Sequence, residues 1–183
     1  MKKLKSLAIL LLTAPLGLYA AVITYPAPNG EALSTSYTVQ ADGASVAVYK
    51  ARVLDPPFAG KGYDYGGDYS FAAFDTSRPL EVRIQSDRTL SNLVVRPANP
   101  KIKTRLADAR TAVLTLPGPC KLSIEPDGKK NPLLLFANTV EKKATRASDA
   151  GPTLLYYGPG VHRAGRIVLT NDQSLYIAGG AVV

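Results

Sequence analysis

Apolar and polar residues alternate through much of the chain. Leu80-Glu81-Val82-Arg83-Ile84-Gln85 has a clean period of two, which predicts a strand with one face buried and one wet. Leu122-Ser123-Ile124-Glu125 repeats the pattern. Tyr37-Thr38-Val39-Gln40 and Ser45-Val46-Ala47-Val48-Tyr49 flank Asp42-Gly43, and Asp-Gly between two alternating runs predicts a hairpin. Further strands are expected at Phe71 to Phe74, Leu90 to Arg96, Thr111 to Leu116 and Leu133 to Phe136. The last is apolar at every position and is expected at the centre of a sheet.

Turn formers separate these runs: Pro56-Pro57, Gly66-Gly67, Pro97, Pro100, Pro117-Gly118-Pro119 and Pro126-Asp127-Gly128. No long segment has helical periodicity. Short strands at such intervals predict an all-β fold with a β-sandwich over residues 21–137. Residues 138–152, with Glu141-Lys142-Lys143 and then Gly151-Pro152, have little to bury and read as a linker, a short helix being the alternative.

From residue 153 the texture changes. Leu154 to Tyr157, Arg166 to Leu169 and Ser174 to Ile177 are short candidate strands, Gly158-Pro159-Gly160 is a tight turn, and Gly179-Gly180-Ala181-Val182-Val183 is an apolar strand. Short strands with tight turns are how a β-solenoid starts, and a solenoid needs several stacked coils. A bare apolar strand edge invites pairing, so the expectation is a solenoid cut after its first coil.

The first twenty residues stand apart. Lys2, Lys3 and Lys5 precede the apolar run Leu7 to Leu12, and Tyr19-Ala20-Ala21 follows. This is the layout of a secretory signal peptide over residues 1–20, with an apolar run too short to stay in a bilayer. A secreted or periplasmic protein is expected, with no membrane contact after cleavage.

Composition adds limits. The 183 residues are 46% hydrophobic and 20% charged, with 14 prolines and 15 glycines, ordinary for a turn-rich globular protein. The formal charge of +8 includes three leader lysines. The remaining basic residues are scattered rather than gathered on one arm, which argues against nucleic acid as partner and leaves room for weak attraction to acidic polymers. Cys120 and His162 are single. A lone cysteine reads as a small buried side chain. One histidine cannot build a multi-histidine zinc site, and no cofactor motif is present.

Two stretches carry a family resemblance. Tyr156-Tyr157-Gly158-Pro159-Gly160-Val161-His162, Gly165 to Leu169 and Leu175 to Val183 resemble the opening of the right-handed parallel β-helix in bacterial polygalacturonase-like and dextranase-like glycoside hydrolases. Leu54 to Gly67 and Leu133 to Asn138 resemble the β-sandwich that precedes that helix. The resemblance implies hydrolysis of a polysaccharide by paired carboxylates further along a β-helix. The signatures of the polygalacturonase-like enzymes, Asn-x-Asp, Asp-Asp, Gly-His-Gly and Arg-x-Lys, do not occur here, so no catalytic residue is assigned. The chain is then a non-catalytic N-terminal portion that packs against its own missing β-helix.

The candidate polysaccharide contacts are Tyr63, Asp64, Tyr65, Asp68 and Tyr69, in and beside a glycine-rich loop. Tyrosine faces pack on sugar rings and carboxylates accept from sugar hydroxyls; the competing reading is that the tyrosines simply pack the loop down. Glu125 and Asp127 flank Pro126 and read as a turn, and His162 as a structural hydrogen bond at the solenoid's first turn. A free-standing carbohydrate-binding module and a purely structural exported β-protein stand as alternatives.

Overall fold

The computed structural model describes residues 22–53, 67–143 and 145–183. Their regular structure is all β apart from a 3₁₀ turn at Ala147–Asp149. The proposed leader and the residues 54–66 lie outside the described residues.

Among the described residues fifteen strands follow in chain order. The first is β1 (Val22–Thr24), and β2 (Tyr37–Ala41) and β3 (Ala44–Val46) form the expected hairpin. Asp42 (φ 45°) and Gly43 (φ 82°) both take the left-handed backbone that a two-residue hairpin turn requires. Next come β4 (Val48–Val53), β5 (Gly67–Thr76), β6 (Leu80–Ser86), β7 (Val94–Arg96), β8 (Lys103–Asp108), β9 (Thr111–Leu116), β10 (Cys120–Glu125) and β11 (Leu133–Thr139). One sheet has the order β3-β2-β6-β9-β8; the other has β1-β5-β11-β10-β7, with β4 also on β5. β1 and β4 share one edge of β5, opposite residues 74–76 and 67–72 respectively. The β5–β11 pair is parallel.

The two sheets face one another across a single core. Val39, Val82, Ile84 and Leu114 come from one sheet, and Phe74, Ile124, Leu133 and Leu135 from the other. The alternation produces this directly: β6 reads buried-exposed at every step, so each second residue enters the core. Full burial of a leucine or phenylalanine contributes about 1.5–3 kcal/mol, and Phe74, Ile84, Leu114, Leu133 and Leu135 are all within 1% of complete burial.

Several expectations need correction. The strand expected over Leu90 to Arg96 is only Val94–Arg96; Leu90 is fully buried from a turn closed by Leu93 N–H on its carbonyl. Arg166 to Leu169 forms no strand, and Val168 is 65% exposed. β11 runs on to Thr139 and residues 147–149 coil, so the segment read as linker is partly structured.

The remaining strands are β12 (Leu154–Tyr157), β13 (Gly160–Val161), β14 (Ser174–Ile177) and β15 (Ala181–Val182). β12 pairs with β14 in parallel from Leu154↔Ser174 to Tyr157↔Ile177, and β13 pairs with β15 in parallel from Gly160↔Ala181. Tyr156 stacks on Tyr176 at 5.5 Å between ring centroids and 10° between planes. Two successive stretches of chain thus lie one on the other in parallel, with Leu155 over Leu175, Tyr156 over Tyr176 and Val161 over Val182.

Candidate functional site

Where the stacked pair meets the second sheet there is a cleft of about 550 Å³. Asp75 stands on its floor, held between Ile23 of β1 and Asn138 of β11 by the sheet register. The Tyr25 phenol donates to Asp75 Oδ2. Across the cleft, Tyr176 donates from β14 to Glu141 Oε2 at 2.8 Å. Burial, reinforced by the Asp75 bond, pushes the Tyr25 phenol well above its usual range. The Glu141 bond, followed by burial, raises Tyr176 to about 12. Both phenols therefore stay protonated as hydrogen-bond donors at neutral pH.

Tyr25 also sets the shape of the junction. A Cβ added at Gly179 would lie 2.1 Å from Tyr25 Cε1, far inside van der Waals contact. The glycine lets the turn between β14 and β15 seat against the ring. Tyr25, Asp75, Glu141 and Tyr176 thus join the stacked strands to the sheets.

Of the polysaccharide-contact candidates, Tyr63, Asp64 and Tyr65 lie outside the described residues. Asp68 and Tyr69 are consecutive in β5, so they point to opposite faces of the sheet. Asp68 pairs across to β4 with Lys50 at 3.1 Å and Arg52 at 3.2 Å; the Lys50 hydrogen bond, aided by both positive charges, holds its carboxyl below the ordinary range. Tyr69 is half-buried opposite Ala51, two residues from Phe71, which stacks on Tyr49 at 5.1 Å.

Glu125, read from sequence as part of a turn, closes β10 and is buried. Its Oε2 accepts from Arg96 Nε at 3.1 Å and its Oε1 from Ser123 Oγ at 2.9 Å. Arg96 sits on β7 opposite Ser123. Nothing local in the sequence signals this pair. His162 Nε2 donates to the Gly158 carbonyl at 2.7 Å and packs edge-on against Tyr157, closing the turn before β13. Cys120 packs at the margin of the core, and burial raises its thiol, which disfavours the reactive thiolate. Among the described residues no group of three or more histidine, cysteine or acidic side chains is placed to hold a metal.

Comparison with protein-family models gives no match, and comparison with curated proteins gives none either. Among solved structures, Dex49A from Penicillium minioluteum superposes with a TM-score of 0.57 at 18% identity, over 87% of this chain and 44% of that one. At that identity the likeness speaks for fold alone, an all-β fold shared with part of that β-helix structure. The chain spans less than half the length of this structural neighbour.

Proposed function

We propose that this chain is the non-catalytic N-terminal portion of a secreted, polysaccharide-degrading glycoside hydrolase. In this reading the two facing sheets are a β-sandwich accessory domain, and residues 153–183 begin a right-handed parallel β-helix. Paired carboxylates on later coils cleave the glycosidic bond. The sandwich covers the apolar cross-section that a solenoid exposes at its terminal coil.

The observation that carries the reading is the in-register parallel stacking of β12 on β14 and of β13 on β15. Parallel strands brought together by a short return of chain, with no helix between, are how a solenoid coils. The outer edges of β14 and β15 pair with no other strand among the described residues, and in this reading the next coil pairs there. The fold likeness to Dex49A, a dextranase with a right-handed β-helix, supports the same reading. Residues 1–20 are the export leader, and Tyr63, Asp64, Tyr65, Asp68 and Tyr69 contribute to polymer contact.

The test is the coding sequence that follows codon 183. The reading expects further coils with paired aspartates, and hydrolysis of a polysaccharide by the extended protein but not by residues 21–183. An unrelated downstream sequence, or hydrolysis by residues 21–183 alone, would refute it.

A further inference from the structure

The outer face of the second sheet carries an apolar strip that starts at the cleft and runs away from it. Leu134, Phe136 and Asn138 alternate outward along β11. The register places Phe71 beside Leu134, Ala73 beside Phe136 and Asp75 beside Asn138, and Tyr49 of β4 stacks on Phe71. Tyr49, Phe71, Ala73, Leu134 and Phe136 are all half-buried. A groove of about 640 Å³ lies along the β10 side of the strip, over Leu134, Phe136 and Lys121. The charges near it largely offset one another: Glu125 holds Arg96, and the adjoining hollow sets Asp127 beside Lys129 and Lys130. Apolar surface, not charge, is what this face offers a partner.

One end of the strip is already covered. Ala73, Asp75 and Asn138 line the cleft, whose opposite wall is the stacked pair of stretches. That wall is uneven. Tyr156 and Pro159 come from the first stretch, which holds β12 and β13, whereas the whole run Tyr176 to Ala181 comes from the second, which holds β14 and β15. Gly179, against the Tyr25 ring, also belongs to the second. The stack therefore approaches the sheet as it advances. A third coil added to the edges of β14 and β15, which pair with no other strand among the described residues, enters over Ala73 and Phe136.

We propose that the later coils of the solenoid lie side-on against this strip and bury Phe136, Phe71 and Leu134. The proposal rests on the reading that the solenoid continues beyond residue 183, and it adds where the flank of that solenoid goes. Coils advance by one strand spacing, about 4.8 Å, whereas the four residues of β11 from Leu134 to Asn138 span about 13 Å. About three coils therefore cover the strip. Their outward positions on this flank carry apolar or small side chains, because polar groups pressed against Phe71 and Phe136 would lose water without gaining a partner. The contact continues the junction already made by Tyr25, Asp75 and Gly179.

The experiment compares thiol labelling of residues 21–183 with that of the protein extended by the coding sequence after codon 183. Both carry Cys120→Ser and one new cysteine. Phe136→Cys lies on the strip. Lys121→Cys, exposed and opposite Phe136 on β10, reports on the same place without disturbing the packing, and decides the matter where Phe136→Cys fails to fold. Thr115→Cys, exposed on β9 of the other sheet, is the control. Maleimide labelling at Phe136→Cys and Lys121→Cys should be at least about tenfold slower in the extended protein, since covered sites react only on opening, and unchanged at Thr115→Cys. Equal rates at the strip positions in an extended protein that carries the coils would overturn this proposal and leave the hydrolase reading standing. A downstream sequence without coils would overturn both.

Discussion

The ring of Tyr25 occupies the space that any side chain at Gly179 would need. Tyr25 follows β1 near the start of the described chain, and Gly179 lies in the turn between β14 and β15. Their contact, with the Tyr25–Asp75 hydrogen bond, locks the stacked strands onto the second sheet. Gly179→Ala must push the ring aside or lift the turn, and overpacking of this kind costs about 1–3 kcal/mol. The same substitution in a Tyr25→Ala background should cost far less, because the obstacle is gone. Urea unfolding of the two single variants and the double variant measures this coupling; strictly additive effects would show that the ring and the turn do not meet.

Alkaline pH should destabilise the fold, at this junction through Tyr176 and in the core through Tyr37. Tyr176 is raised to about 12 by the bond it donates to Glu141, and Tyr37 to about 12 by burial, whereas a tyrosine in the unfolded chain titrates near about 10. The folded protein thus keeps protons that the unfolded chain has lost. Stability from these groups is fully present below about pH 10 and is lost as pH rises towards about 12. Glu141→Gln removes the negative charge beside Tyr176, so one phenol should titrate earlier in an absorbance titration of tyrosinate. An unchanged titration curve would contradict the Tyr176–Glu141 contact.

The Arg96–Glu125 pair makes a further prediction. Arg96→Ala leaves the buried Glu125 carboxylate with Ser123 as its one remaining side-chain partner. Because Arg96 itself is largely exposed, the cost should fall below that of breaking a fully buried pair, at about 1–3 kcal/mol. Arg96→Ala combined with Glu125→Gln should recover part of that loss. Thermal unfolding near neutral pH reads both; a double variant no better than Arg96→Ala would deny that an unpaired charge is the cause.

At the hairpin, Gly43 takes φ 82° with open space around its Cα. Gly43→Ala therefore strains the backbone without a clash and should cost about 1 kcal/mol. Asp42→Ala should cost a similar amount or more, since Asp42 Oδ1 accepts from the Glu81 N–H at 2.9 Å and Oδ2 from Arg78 at 2.7 Å, tying the turn to β6. Denaturant midpoints of the two variants test both statements, and a neutral effect at both would mean that the turn is not of this type.

Core strands such as β2 and β6 were readable because they bury alternate side chains. Leu80 to Gln85 and Leu133 to Phe136 reveal themselves by pattern alone, and β11 does lie between β5 and β10. β8 gave no such signal: it is an edge strand whose six residues are all exposed, and its charged side chains, Lys103, Arg105 and Asp108, suit an unprotected edge. Arg166 to Leu169 misleads for the opposite reason, since Val168 and Leu169 look like strand residues yet stand in solvent. The junction was hidden more deeply. Tyr25 with Gly179, Tyr176 with Glu141 and Arg96 with Glu125 are tertiary contacts between residues far apart in the chain, and no local period encodes them.

The stacking of β12 on β14 can be tested by a disulfide between facing positions. Leu155 and Leu175 are register partners, and neighbouring strands lie about 4.8 Å apart, within the roughly 4.4–6.8 Å that a disulfide spans between Cα atoms. In a Cys120→Ser background, Leu155→Cys with Leu175→Cys should oxidise readily and raise the unfolding midpoint. Leu155→Cys with Tyr176→Cys, whose side chains point to opposite faces, should stay reduced. Efficient bridging of the second pair, with none of the first, would contradict the stacked coil.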